Sequence, residues 1–131
     1  MSTSFQTRRS SRGKKPPIDR DKALLITSSV PAEKGFHFFT DIQKPTGTVA
    51  TSIFDFLEQL KKVDSKSLEF HLRRNDFQRW LREVIRDDWL AGEFEKLRTL
   101  NLSADKLRKR LVEITEERCK HLSDAVKHLT I

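Results

Sequence analysis

His71, Asn75 and Asp76 are the residues of this chain whose types and spacing come closest to a chemical constellation. An imidazole and a carboxylate five positions apart at a helix junction admit two readings. One is a ligand or reaction site built on a group that titrates near neutral pH. The other is structural: Asn75 or Asp76 caps a helix, His71 hydrogen-bonds across the junction, and Phe77 and Trp80 fill the core. The residues alone leave both open. Cys119, His121 and His128 are the only clustered soft ligands, and a single cysteine falls short of a structural zinc set. Asp87-Asp88 suits a helix start better than a magnesium site. No nucleophile elbow, phosphate loop or dinucleotide fingerprint is present, and glycines at 13, 35, 47 and 92 are too scattered to build one. These residues predict no enzyme, no metal, no cofactor and no small-molecule substrate.

Charge points to different chemistry. Lys and Arg number 26 against 19 acids, a net charge of +7. Residues 1–22 hold seven basic and two acidic side chains, so +5 of that charge lies in one sixth of the chain; the other 109 residues carry only +2. Arg8, Arg9, Arg12, Lys14, Lys15 and Arg20 stand among Ser, Thr, Gly13 and Pro16-Pro17. Such a segment has too little apolar surface to offset its ordering entropy, which predicts a disordered basic arm over 1–20. Arms of this composition lie along phosphates and release counterions on binding. A second basic stretch, 61–86, contains Lys61, Lys62, Lys66, Arg73, Arg74, Arg79, Arg82 and Arg86 against four acids. Helical spacing predicts that Arg79, Arg82 and Arg86 share one side of a helix and dock on phosphates.

Helices must position most of these groups. Ile53, Phe56, Leu57, Leu60 and Val63 make one apolar face, with Ser52 and Asp55 at capping-box spacing. A short helix over 66–72 follows, presenting Leu68 and Leu72. Asn75 is the expected N-cap of the next, with Gln78 reaching back to it and Phe77, Trp80, Leu81, Val84 and Ile85 inward. Asp87-Asp88 opens a helix with Trp89, Leu90, Phe94 and Leu97, in which Gly92 marks a weak point or a close helix contact. A final helix runs from about 103 to 128. Its stripe of Leu107, Leu111, Ile114 and Leu122 is interrupted by Arg118, and at this length its far half is expected to pack on a second copy as a homodimer interface. Before position 48 the pattern is weaker. Ala23 to Ile26 and Phe36 to Phe39 read as two short strands of a β-hairpin, and Lys44-Pro45-Thr46-Gly47 as a turn.

The stretch Ser67-Leu68-Glu69-Phe70-His71, followed by Asn75-Asp76-Phe77-Gln78-Arg79-Trp80, resembles a small, mainly prokaryotic family of unknown function. That family shares a Ser-x-x-(Phe/Tyr)-His element and then Asn-Asp-Phe-x-x-Trp. A preceding helix like Ile53 to Leu60 and a following Leu90-Ala91 step extend the likeness over roughly Phe36 to Leu97. The resemblance implies no activity, and the basic arm falls outside it.

The expected fold is mostly α: a compact bundle of about four to five helices over 21–131, with a possible short β-hairpin near the N-terminus and a disordered basic arm. A mean hydropathy of −0.62 and a longest apolar run of four residues exclude a membrane-spanning helix. One cysteine and an N-terminus without an apolar signal core suggest a reducing, cytoplasmic setting. The expected function is non-enzymatic binding of RNA or a ribonucleoprotein, most concretely the ribosome, by the arm and the Arg-rich helix. DNA is less favoured, because no base-reading recognition helix stands out. The rivals are a dimerisation module and a small-ligand site centred on His71 and Asp76.

Overall fold

A computed structural model describes residues 17–128. These form six α-helices and one antiparallel β-hairpin: α1 (Arg20–Thr27), β1 (Phe36–Asp41), β2 (Lys44–Ala50), α2 (Ile53–Lys62), α3 (Ser65–Arg73), α4 (Asp76–Trp80), α5 (Asp88–Arg98) and α6 (Ala104–His128). A one-turn 3₁₀ helix (Ala32–Lys34) precedes β1, and a π-helical turn (Leu81–Ile85) continues α4. Arg8, Arg9, Arg12, Lys14 and Lys15, and the disorder expected for the arm, lie outside the described residues. None of the described helices is long and apolar enough to cross a membrane.

The expected first strand is a helix. The Asp19 carboxylate caps α1 by accepting the Lys22 N–H at 2.8 Å, and Thr27 and Ser28 end it by returning their hydroxyls to Ala23 and Leu24 carbonyls. Ala23 and Ile26 face inward while Leu24 and Leu25 stay exposed, a helical rather than alternating pattern. Arg20, expected in the arm, is therefore the first residue of α1, and its Nε donates to the Val126 carbonyl near the end of α6 at 3.1 Å.

The hairpin pairs β1 with the segment expected to be a turn. Phe36 lies opposite Ala50, His37 opposite Val49, Phe39 opposite Pro45 and Asp41 opposite Lys44, with two register irregularities. The reversal falls at Ile42-Gln43, where Gln43 takes the left-handed conformation (φ 60°). Gly47 has φ 87°, which only glycine adopts readily, and it lets β2 bulge past Pro45 without ending. Gly35 is required by space: a Cβ there would meet the Ala50 carbonyl oxygen at 2.7 Å.

From α2 onward helices stand where they are expected, except that the one expected through Ile85 is α-helical only over Asp76–Trp80. Ser52 Oγ accepts the Asp55 N–H at 3.0 Å, and the Asp55 carboxylate takes the Thr51 N–H at 3.1 Å, so the cap reaches one residue further back than a simple box. Asp87 caps α5 through the Leu90 N–H. Gly92 marks no close contact, because nothing lies within 4 Å of its missing Cβ. Asn75 stands before α4 in the left-handed conformation and makes no side-chain cap; Gln78 turns instead to the Leu72 carbonyl and Glu95.

Phe36, Phe38, Phe56, Phe77, Trp80 and Phe94 form one aromatic cluster, with ring centroids 4.9–6.2 Å apart across the hairpin, α2, α4 and α5. Each such side chain contributes roughly 1.5–3 kcal/mol through burial. The α6 helix runs against α1, α2, α3 and α5. Leu107, Leu111, Ile114 and Leu122 are 4%, 0%, 1% and 0% exposed, so the stripe expected at a dimer interface is spent inside one subunit. The α1 helix, over the segment expected to be a strand, covers the far half of α6.

Candidate functional site

His71 stands in the last turn of α3 and reaches across to both β1 and α4. Its Nε2 accepts the backbone N–H of Phe39 at 2.8 Å, and its Nδ1 lies 2.8 Å from Asp76 Oδ2. A backbone N–H can only donate, so Nε2 carries no proton and Nδ1–H donates to the carboxylate. The tautomer is set by the fold. Pro45 stands opposite Phe39 in the hairpin, and the Phe39 N–H is directed to His71. The ring is 3% exposed and is packed edge-on by Phe36 and Phe70. Burial lowers the His71 pKa and outweighs the adjacent Asp76 carboxylate, which pulls it upward. A neutral imidazole with both nitrogens committed is a bolt between hairpin and helices. Of the two sequence readings, this geometry realises the structural hydrogen bond.

Asp76, in the first turn of α4, collects more than His71. Arg74 Nε lies 3.1 Å from its Oδ2, and Arg79 lies 3.7 Å from its Oδ1. Beside this cluster a groove of about 260 Å³ opens between the hairpin tip and α3, with Phe39, Ile42, Phe70 and Arg74 among its walls.

The basic residues of the body do not gather on one face. Lys61 and Lys62 are exposed at the C-terminal end of α2, where Lys61 pairs with Glu58 and approaches Glu116. Arg73 lines a notch of about 160 Å³ with Arg98 and Glu69. Arg74 and Arg79 flank Asp76. Arg82 adds its field at Glu95, whose carboxyl is held below its ordinary value chiefly by the Arg98 hydrogen bond. Arg86 leaves the helix altogether: the π turn ends there in the left-handed conformation, with the Arg86 and Asp87 N–H groups both directed to the Leu81 carbonyl. It lines a groove of about 350 Å³ with Pro17, Lys22 and Trp89. The shared face expected of Arg79, Arg82 and Arg86 assumed an uninterrupted α-helix, and the π turn breaks that register.

A second polar knot was not anticipated. Arg118, read as an interruption of the α6 stripe, is 3% exposed, and its Nε and Nη2 bind both oxygens of Asp87 at 2.8 and 2.9 Å. Its guanidinium also lies 5.2 Å over the Trp89 ring. The available signal was an arginine in line with the apolar stripe, between Ile114 and Leu122 at i−4 and i+4. Cys119, next to it, is buried and its thiol is pushed up to about 12, first by burial and then by the Asp87 charge, which makes it a poor nucleophile. Among the described residues no three His, Cys, Asp or Glu side chains are grouped to hold a metal ion.

The sequence model of a family of unknown function (DUF5752) matches residues 36–129. No curated protein and no solved structure matches the chain.

Proposed function

The chain belongs to that family of unknown function, so its role has to be argued from its own residues, and we propose that it is a non-enzymatic RNA-binding protein. The most concrete target is the ribosome or another ribonucleoprotein in the cytoplasm. One observation carries the reading: the first 22 residues concentrate +5 of the +7 net charge, ahead of a nearly neutral folded body. That distribution suits a phosphate-binding arm tethered to a stable anchor. At the arm's root Pro17 leads into a groove whose wall holds exposed Lys22 and Arg86 together with Asp19 and Asp88. A non-catalytic role fits His71, because both of its nitrogens are consumed by the fold.

Co-sedimentation of the full chain with native cell extract, across a salt series, tests the proposal. The chain is expected to travel with ribosomal particles at low salt and to leave them as salt rises. Deleting residues 1–16 removes Arg8, Arg9, Arg12, Lys14 and Lys15 and leaves the Asp19 cap of α1 in place. Loss of those five cations is expected to flatten the slope of log affinity against log salt on single-stranded RNA by about 3 to 4. Migration as a small free species at every salt concentration would overturn the proposal.

A further inference from the structure

The groove beside Asp76 has a composition unlike the rest of the surface. Ile42, at the hairpin tip, is 66% exposed, and Phe39 and Phe70 are each only partly covered. Single exposed apolar residues are ordinary, but three around one ring-sized recess mark a contact site. The recess, about 260 Å³, carries the Arg74 guanidinium and the Asp76 carboxylate on its wall, and Arg79 lies beside Asp76. Arg74 lies 4.9 Å over the Phe70 ring and is half exposed, so its guanidinium presents a flat outer face. Arg74 and Arg79 share the single carboxylate of Asp76, and His71 is held neutral, leaving surplus positive charge at the mouth. Gln43 brings a side-chain amide to the rim.

Flat apolar walls, a stacked guanidinium, an amide and a net positive mouth together match an unpaired nucleobase carrying its phosphate. An aliphatic side chain would use the walls and leave the cations unanswered. We propose that this groove receives one unpaired base of an RNA strand. The base stacks between Phe39 and the Phe70–Arg74 layer, Ile42 closes the hairpin side, and the adjoining phosphate meets Arg74. The assignment rests on the RNA reading above and adds to it a preference for single strands. It also places a contact inside the family-matched region, whereas the arm lies outside it.

The test uses the full chain and a single-stranded RNA of roughly 12 nucleotides, carrying 2-aminopurine near its centre, alone or annealed to its complement. Affinity is read by fluorescence anisotropy and stacking by 2-aminopurine quenching. The wild type is expected to quench the single strand. Phe70→Ala and Ile42→Ser are each expected to weaken single-strand binding by about five- to tenfold, to abolish quenching, and to leave duplex affinity within about twofold. Ile42 is a surface residue, so Ile42→Ser keeps the test decisive if Phe70→Ala melts early. Equal single-strand affinity and quenching for the wild type and Ile42→Ser would overturn the groove assignment while the RNA reading stands. Failure of the wild type to bind either RNA at low salt would overturn both.

Discussion

The molecule has two polar knots, and they differ in the one respect that separates scaffold from site. Each places an aspartate at the start of a helix and draws basic groups onto it: Asp76 its near neighbours His71, Arg74 and Arg79, and Asp87 the distant Arg118. The Asp87–Arg118 pair is sealed. Both side chains are at most 4% exposed, the contact is bidentate, Asp87 Oδ1 also accepts the Leu90 N–H, and Arg118 Nη1 lies 3.0 Å from His121 Nδ1. The Asp76 knot has a sealed inner half, His71, and an open outer half in which two half-exposed arginines share one carboxylate. Where partners balance and solvent is excluded, the polar group serves the fold. Where cations exceed acceptors at a groove, the same chemistry is available to a partner.

The comparison is broken most sharply at the sealed knot. Asp87→Ala leaves the Arg118 guanidinium buried without its counter-charge and also removes the α5 cap. Its expected loss is about 3–5 kcal/mol in urea unfolding. The double variant Asp87→Leu with Arg118→Met removes both charges together. It is expected to recover most of that loss, because a buried ion pair is often no better than apolar residues of similar volume. A double variant as unstable as the single one would mean that capping, rather than the unpaired charge, dominates.

At the Asp76 knot the expected effects are smaller and depend on pH. His71→Ala orphans the Phe39 N–H and loosens the hairpin, with an expected loss of about 1–3 kcal/mol. The wild type adds a linkage term. Burial lowers the His71 pKa, so the unfolded chain binds this proton at a higher pH than the folded one. Stability from this group is therefore complete above the unfolded histidine value of about 6.5 and is lost as pH falls below it. Denaturant titrations from neutral to mildly acidic pH are expected to show that decline in the wild type. It is expected to be shallower in His71→Gln, which keeps an acceptor for Phe39 but does not titrate there. The smallest change belongs to the outer half. Arg74→Gln is expected to alter stability by less than about 0.5 kcal/mol, and a larger loss would recast Arg74 as part of the scaffold.

The sequence made some of this legible and hid the rest for identifiable reasons. Long segments with a clear period, such as the apolar face of α2 and the α6 stripe, could be placed because burial and period agree over many residues. The Ser52 and Asp87 caps followed from local spacing. Ala23 to Ile26 misled because four consecutive apolar residues have no period; packing on α6 and the Asp19 cap decide in favour of helix. Lys44 to Gly47 carries turn chemistry but sits in a bulged strand, with the reversal two residues earlier. The Leu107–Leu122 stripe was correctly apolar, but a stripe does not name its partner, and that partner is the chain's own interior. At the site, His71 with Asp76 was visible as a motif. The groove was not, because Phe39 and Ile42 reach Phe70 and Arg74 only through the hairpin's fold.

The Arg20–Val126 hydrogen bond closes the described chain almost into a ring, across a sequence separation of 106 residues. Loops that long are entropically unfavourable to close and are rewarded late in folding. The α1 helix has only eight residues and few buried side chains, so it is the natural first piece to detach. A partner pulling on residues 1–16 transmits its load directly into α1. Under tension the helix would peel from α6 and bare the apolar strip around Leu122, while the aromatic cluster stays shut. In mechanical terms, α1 is a fuse between arm and body, and optical-trap unfolding should register it as a low-force step before the main rupture.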